Sequence, residues 1–310
     1  MSTPVTIAIL NYQRRDALRR ALEAARAQRY APLELLVVDN ASTDGAQDMV
    51  CDEFPDVHLV ALPENIAAAA RNEGVRAAKG EIVFTLDNDV LLGTPDDIAR
   101  GVAAFERHPR AAVVNFTILG PDGRLSRRDW CHPRDPDRWA ETEFLTDYVL
   151  EGASACRREA FLAAGGYWRP LFIGHEGWDL ALRLLDAGHD LVYSPDVQVR
   201  HMVDPTVRPS SRIYYTFTRN AVWVALRSYR ARAAAASITR DLLLMAFTAA
   251  RAGELAAWAR GVADAVRGSR QALGTRRRLS LETTRRLARI RAQKPSIMAR
   301  AVRHAREHLI

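Results

Sequence analysis

Near the N-terminus four short apolar runs, at residues 5–10, 33–38, 57–62 and 82–86, alternate with segments whose apolar residues recur at helical spacing. Runs that are apolar at nearly every position read as strands buried on both faces, and helical crossovers make successive strands parallel. The alternation therefore predicts an open, mostly parallel α/β sheet with right-handed crossovers. Leu18, Ala21, Leu22 and Ala25 share one face of the first helix. Another helix is expected over 67–78, with Gly80 as its C-terminal stop. Ligands of such sheets collect at the carboxyl ends of the strands. Chemistry is thus expected in the loops after the runs: Asn11-Tyr12-Gln13, the stretch from Asp39 to Gly45, and Asp87-Asn88-Asp89.

Two carboxylates at the end of a buried strand suit a hard divalent cation, Mg2+ or Mn2+, which commonly bridges protein to a substrate phosphate. A metal-bound diphosphate is the favoured reading of Asp87-Asn88-Asp89, and a turn or capping role is the alternative. Beyond it, Pro121-Asp122-Gly123 marks a hairpin turn. Asp129-Trp130-Cys131-His132-Pro133 begins a long irregular loop of the kind that forms lids or binding segments, and the stretch from Glu151 to Arg158 leads into a helix.

Taken together, residues 6–12 and 37–45, Arg71-Asn72-Glu73-Gly74, Asp87-Asn88-Asp89, His175-Glu176-Gly177-Trp178-Asp179-Leu180 with Arg183, and the stretch from Tyr193 to His201 resemble family 2 glycosyltransferases. The layout, including Arg219-Asn220, is similar to bacterial rhamnosyltransferase-like members. The resemblance implies the GT-A nucleotide-diphospho-sugar transferase fold, with the nucleotide-sugar half over 1–114 and the acceptor half over 115–204. It implies that Asp39 hydrogen-bonds the donor's nucleobase, with Asn11, Tyr12 and Asn40 beside it. Arg71 would contact the nucleotide, and Asp87 and Asn88 would lie near the ribose. Asp87, Asp89 and the distant His201 would form the site for Mn2+ or Mg2+ and the diphosphate. Glu151, Trp168, His175 and Trp178 fall on the acceptor side. Without the resemblance, Asp39 reads equally as a turn residue, Arg71 as a helix-face ion pair, and the tryptophans as core.

Transfer also needs a base for the acceptor hydroxyl. Many relatives carry a second acid where this chain has Gly177, and that acid is commonly the base. Glu176 is the expected base here, and Asp179 is the alternative unless it braces the start of its helix. One acid base and no covalent intermediate imply inversion at the anomeric carbon. The expected activity is metal-dependent transfer from a UDP- or dTDP-sugar, with GDP left open, to a hydroxyl of a glycan, lipid-linked or small-molecule acceptor. A catalytically decayed nucleotide-binding scaffold is the competing reading, motivated by Gly177, and a nucleotidyltransferase is a more distant one.

From Pro205 onward there are 22 Lys and Arg against 5 Asp and Glu, leaving 22 against 32 before it. An acidic catalytic half thus precedes a basic α-helical extension over 205–310, with helices expected at 213–229, 238–266 and 279–309 and breaks at Gly268, Gly274 and Pro295. Residues 242–247 form an apolar patch, yet no uninterrupted apolar stretch reaches the length of a bilayer span. The extension is expected either to dock on an anionic membrane or, through residues 242–247, to pack on the catalytic domain or build a homodimer, and nucleic acid ranks below these. Three cysteines without metal-ligand spacing and a chain that starts almost directly in a strand predict a reduced, cytoplasmic protein that can lie on the inner face of the membrane.

Overall fold

The computed structural model describes residues 2–202 and 211–292. The first half runs β1 (Val5–Asn11), α1 (Arg15–Arg26), β2 (Leu33–Asp39), α2 (Ala46–Glu53), β3 (His58–Ala61), α3 (Ala70–Ala77), β4 (Ile82–Asp87), β5 (Val90–Leu92), α4 (Asp97–Arg107) and β6 (Ala111–Leu119). There follow α5 (Pro136–Trp139), β7 (Phe144–Leu145), β8 (Ala153–Arg157), α6 (Arg158–Ala163), α7 (Glu176–Asp186) and β9 (Asp190–His201). The extension comprises α8 (Ser211–Ser228), α9 (Ala231–Ala252), α10 (Leu255–Arg267), α11 (Ser269–Gly274) and α12 (Leu281–Arg291).

All four apolar runs become strands, paired in parallel as β3-β2-β1-β4. Successive side chains on a strand face opposite ways. Ile7, Ile9 and Val37 accordingly pack with Leu18 and Leu22 of α1, Val50 of α2 and Phe105 of α4. Ala8, Leu36 and Val38 belong to the opposite core with Val75 of α3, Phe161 of α6 and Leu180 of α7. The sheet continues β8-β6-β9-β5, and β7 joins β9. There β8 pairs antiparallel with both β4 and β6, so the sheet is mixed where a mostly parallel one was expected. A long loop, with no helical crossover of ordinary length, returns the chain from β6 to β8 and reverses its direction.

Other expectations shift for local reasons. Gly80 does not stop α3, which ends at Ala77; a Cβ there would lie 2.4 Å from the Thr6 nitrogen and 2.6 Å from the Val5 carbonyl carbon. Glycine lets the chain cross the start of β1. The boundary at 114/115 falls inside β6, so both halves share one sheet, while 204/205 and the Pro295 break lie outside the described residues. The helix expected over 238–266 is divided at Gly253, whose φ of +74° forms a left-handed cap. Contrary to the sequence reading, α9 is long and apolar enough by length and composition to cross a membrane. Arg240 and Asp241, which interrupt its composition, pair with each other at 2.8 Å.

Candidate active site

Loops at the carboxyl ends of β1, β2 and β4 meet through a chain of amides. Asn88 Nδ2 donates to Asn11 Oδ1 at 2.7 Å, and Asn11 Nδ2 donates to Asp39 Oδ2 at 2.8 Å. Ser42 N and Gln47 Nε2 donate to the other Asp39 oxygen. Asp39 and Asn11 therefore stand one layer behind the surface, 1% and 0% exposed, and a nucleobase contact to Asp39 requires this buried layer to open. Tyr12, Asn40, Arg71, Asp87, Asn88 and Asp89 do reach a cavity of about 480 Å3, together with Glu151, Glu176 and His201.

Charges of both signs line this cavity. Arg14 pairs with Asp89, and Arg71 pairs with Asp87. A Cβ on Gly152 would fall 2.3 Å from the Asp87 carboxylate, so glycine leaves the room that this side chain fills. His201 Nδ1 stands 3.0 Å from Asp129 Oδ2, an acceptor, and Nδ1 therefore carries the proton. That hydrogen bond is the main cause of a His201 pKa above the ordinary value. His201 Nε2 then faces Asp89 Oδ1 at 3.6 Å. Asp129 comes from the loop expected to be a lid or a binding segment. The loop is anchored by tilted and edge-on ring contacts, Trp130 and His132 packing on Phe144 and Tyr193.

Glu176 opens α7, 6% exposed, and its Oε2 is buried with no hydrogen-bond partner among the described residues. Burial first, and the charge of Glu151 second, raise its pKa to about 8. Glu151 is also raised by burial, and its Oε1 accepts the Gly177 N–H at 2.6 Å. A Cβ at Gly177 would meet that same oxygen at 2.4 Å and the Val149 carbonyl oxygen at 2.1 Å. Glu151 thus occupies the volume into which a side chain at 177 would project. The loop before Glu176 is held from the extension: Asn220 Nδ2 contacts the carbonyls of Leu171, Ile173 and Gly174 at 2.7–3.0 Å, and Arg219 those of Pro170 and Leu171.

Four expected residues lie elsewhere. Asp179 is 0% exposed and joined to Arg183 and Arg227, so it braces α7 and has no free oxygen with which to act as a base. Trp168 lies under Arg227, 4.0 Å from its guanidinium carbon, and against Trp223. His175 and Trp178 pack on Phe217, Tyr229 and each other, and burial takes the His175 pKa down to about 4. The apolar wall of the cavity includes Phe172 and Ile173, which the sequence did not single out, as it did not Arg14 or Arg212. Backbone strain offers a partial signal. All five described non-glycine residues with positive φ, Gln13, Ala41, Ala67, Phe172 and His175, are in loops at or next to this cavity. Such strain is characteristic of functional sites.

A mixed α/β sheet with acid-bearing loops at its strand ends is the architecture of the GT-A fold class, and known proteins agree. The glycosyl transferase family 2 model matches residues 6–163, and the chain belongs to that family. Succinoglycan biosynthesis protein ExoO of Rhizobium meliloti is 35% identical over 127 residues, covering 40% of this chain and 36% of that protein. N-acetylglucosaminyl-diphospho-decaprenol L-rhamnosyltransferase of Mycobacterium tuberculosis is 24% identical over 235 residues, 65% of this chain and 76% of that one. Mannosyltransferase PcManGT of Pyrobaculum calidifontis, solved with GDP-Man and Mn2+, superposes with a TM-score of 0.58 at 23% identity, over 96% of this chain and 82% of its own. At that identity the likeness establishes the fold.

Proposed function

We propose that the chain moves a sugar from a nucleoside-diphosphate sugar, UDP- or dTDP-linked, to an acceptor hydroxyl with inversion, Glu176 being the base. One observation carries this reading. A single cavity is lined by Asp87-Asn88-Asp89, Arg71 and His201 and also by the Glu151–Glu176 carboxyl pair, whose Glu176 Oε2 is buried without a partner. An unsatisfied buried acceptor is costly unless function uses it. In the step, the acceptor oxygen bonds to the anomeric carbon while the carbon–oxygen bond to the diphosphate breaks with its electron pair. Glu176 Oε2 takes the hydroxyl proton. A base with a pKa near the working pH is well matched to that task. Glu151 holds the Gly177 amide and, through its charge, adds to the rise that burial gives the Glu176 pKa. Its presence in the space next to Gly177 speaks against a decayed site.

The cation-site residues fit in part. Asp89 Oδ1 and His201 Nε2 are spaced as two ligands of one ion can be, and Asp129 orients the histidine as carboxylates do at metal sites. Among the described residues no three His, Cys, Asp or Glu side chains form a ready cage. Mg2+ and Mn2+ suit such a sparse set, because phosphate oxygens and water complete their shell. When bound, the ion would neutralise charge on the departing diphosphate. Arg14, Arg71 and Arg212 line the same space and are placed to hold phosphate oxygens. For the acceptor, the exposed strip of α9 and the surrounding arginines support a lipid-linked glycan approached from an anionic membrane face.

Calorimetric titration with UDP, dTDP and GDP, each with Mn2+ and with chelator, tests the reading on wild type and Asp89→Ala. Metal-dependent binding of one diphosphate that the substitution abolishes is expected. Absence of binding by all three, with and without metal, would overturn the donor site.

A further inference from the structure

On the other side of α3 from the donor cavity lies a second cavity of about 610 Å3. Arg71 points into the first, while Asn72, Glu73 and Arg76 face the second. Its walls come from α3, the turn after α6, α7, and the connection between α11 and α12. They bring together six arginines, Arg76, Arg169, Arg183, Arg227, Arg276 and Arg277, with Glu73 the one carboxylate among the described lining residues.

The arginines are unequally matched by acids. Arg76 pairs with Glu73, and Arg169 with Glu64 at 2.5 Å. Arg183 and Arg227 share the single carboxylate of Asp179. Arg276 donates to the Tyr229 carbonyl at 2.8 Å, and its buried Nε has no partner among the described residues. The Arg277 side chain makes no ion pair or hydrogen bond within the described residues. The charges of Arg183 and Arg277, after burial and against the pull of Asp179, help to depress the pKa of Arg227, so the three cations feel one another. Like charges gathered in a concave, partly desolvated space are unfavourable unless an anion joins them. Guanidinium forks match phosphate oxygens, and the volume lies in the range of small-molecule sites.

We propose that this cavity is a second anion site, separate from the donor site, that binds a phosphorylated ligand and ties the helical extension to the transferase domain. The ligand chemistry is a diphosphate or a similarly charged phosphate group, carried by a soluble metabolite or by a lipid headgroup.

The test uses the full chain and inorganic pyrophosphate in chelator, followed by calorimetry. Arg277→Gln removes a side chain with no ion pair or hydrogen bond among the described residues, and Arg276→Gln/Arg277→Gln removes both of the cations that no described carboxylate matches; retained melting temperature and UDP binding serve as fold controls. The expected result is a pyrophosphate site that weakens at least tenfold in the double variant, less in the single one, and persists in Arg14→Ala, which alters only the donor cavity. Equal isotherms for wild type and the double variant, or loss in Arg14→Ala alone, would overturn the proposal, as would no binding at millimolar pyrophosphate. Phosphatidylglycerol vesicles that displace pyrophosphate from wild type would assign the anion to a headgroup. Indifference to vesicles would assign it to a soluble phosphate, and either outcome sustains the site.

Discussion

Glu176 and Asp179 sit one helical turn apart with opposite fates. Asp179 has both oxygens on arginines, while Glu176 has an oxygen with nothing to bind. Glu176→Gln is expected to lower the transfer rate by ~10²–10⁴ with donor binding retained. Asp179→Ala should act on the fold, because it strands two largely buried guanidinium groups; a loss of about 3–5 kcal/mol, read by denaturant unfolding, is the expected scale. The pair Glu151–Glu176 gives a prediction with a sign. Glu151's charge raises the Glu176 pKa, and the base works only when ionised, so activity should rise with pH through about 8. Glu151→Gln removes that charge, and the acidic limb of kcat/KM should move to lower pH. A limb that stays in place would show that Glu176 is not the group being titrated. The puzzle of Gly177 was legible in the sequence, but its answer was not. Glu151 lies 26 residues away, and only the packed loop shows that its carboxylate fills the space.

Among the elements, the strands and their loops were legible because a buried strand and an amphipathic helix leave different periods, and because parallel strands deliver their ends to one edge. Asp87-Asn88-Asp89 could be found on that logic, whereas the Glu176 motif, at the start of a helix, was legible only through the family resemblance. Phe172 and Ile173 could not, and Asp129 and Asn220 could be noticed but not given their roles, which depend on contacts across 46–72 residues that no local pattern encodes. Likewise the tryptophans at 168 and 178 carry the same composition whether they line a cavity or a core. The loop joining α6 to α7 illustrates how elements share a task. Phe172 and His175 hold positive φ, with Asn220 of α8 bonded to the carbonyls between them. Asn220→Ala should let this loop relax and displace Glu176. A fall in kcat of about a hundredfold is expected, with diphosphate affinity nearly unchanged, since small misplacements of catalytic groups cost that much. Equal losses in kcat and donor binding would instead indicate general unfolding, which a melting curve would reveal.

Across the whole molecule, the extension is fastened to the sheet domain at points far apart in sequence. Ser280 N donates to Asp186 at 2.9 Å, Arg286 pairs with Asp190, Arg291 pairs with Asp147, and Val222, Trp223 and Leu287 enter the same core as Leu180 and Leu184. Apolar burial shared across a boundary couples the two sides, so calorimetry should show one cooperative unfolding transition, and a chain ended after residue 202 should lose stability in its catalytic part. By contrast α9 leaves Leu243 and Phe247 67% and 62% exposed, with Leu244 between them. Trp258 of α10 donates to the Leu242 carbonyl at 3.2 Å, which fixes the helix with that strip outward. Replacing Leu243 and Phe247 by glutamate removes apolar surface and adds charge that an anionic bilayer repels, while touching no residue of either cavity. The doubly substituted chain should keep its melting temperature and its transfer to a soluble acceptor, yet lose co-sedimentation with phosphatidylglycerol vesicles. If sedimentation equilibrium instead shows a wild-type dimer that the substitutions dissociate, with vesicle binding unaffected, then the strip is a contact between two copies and the membrane is reached by another surface.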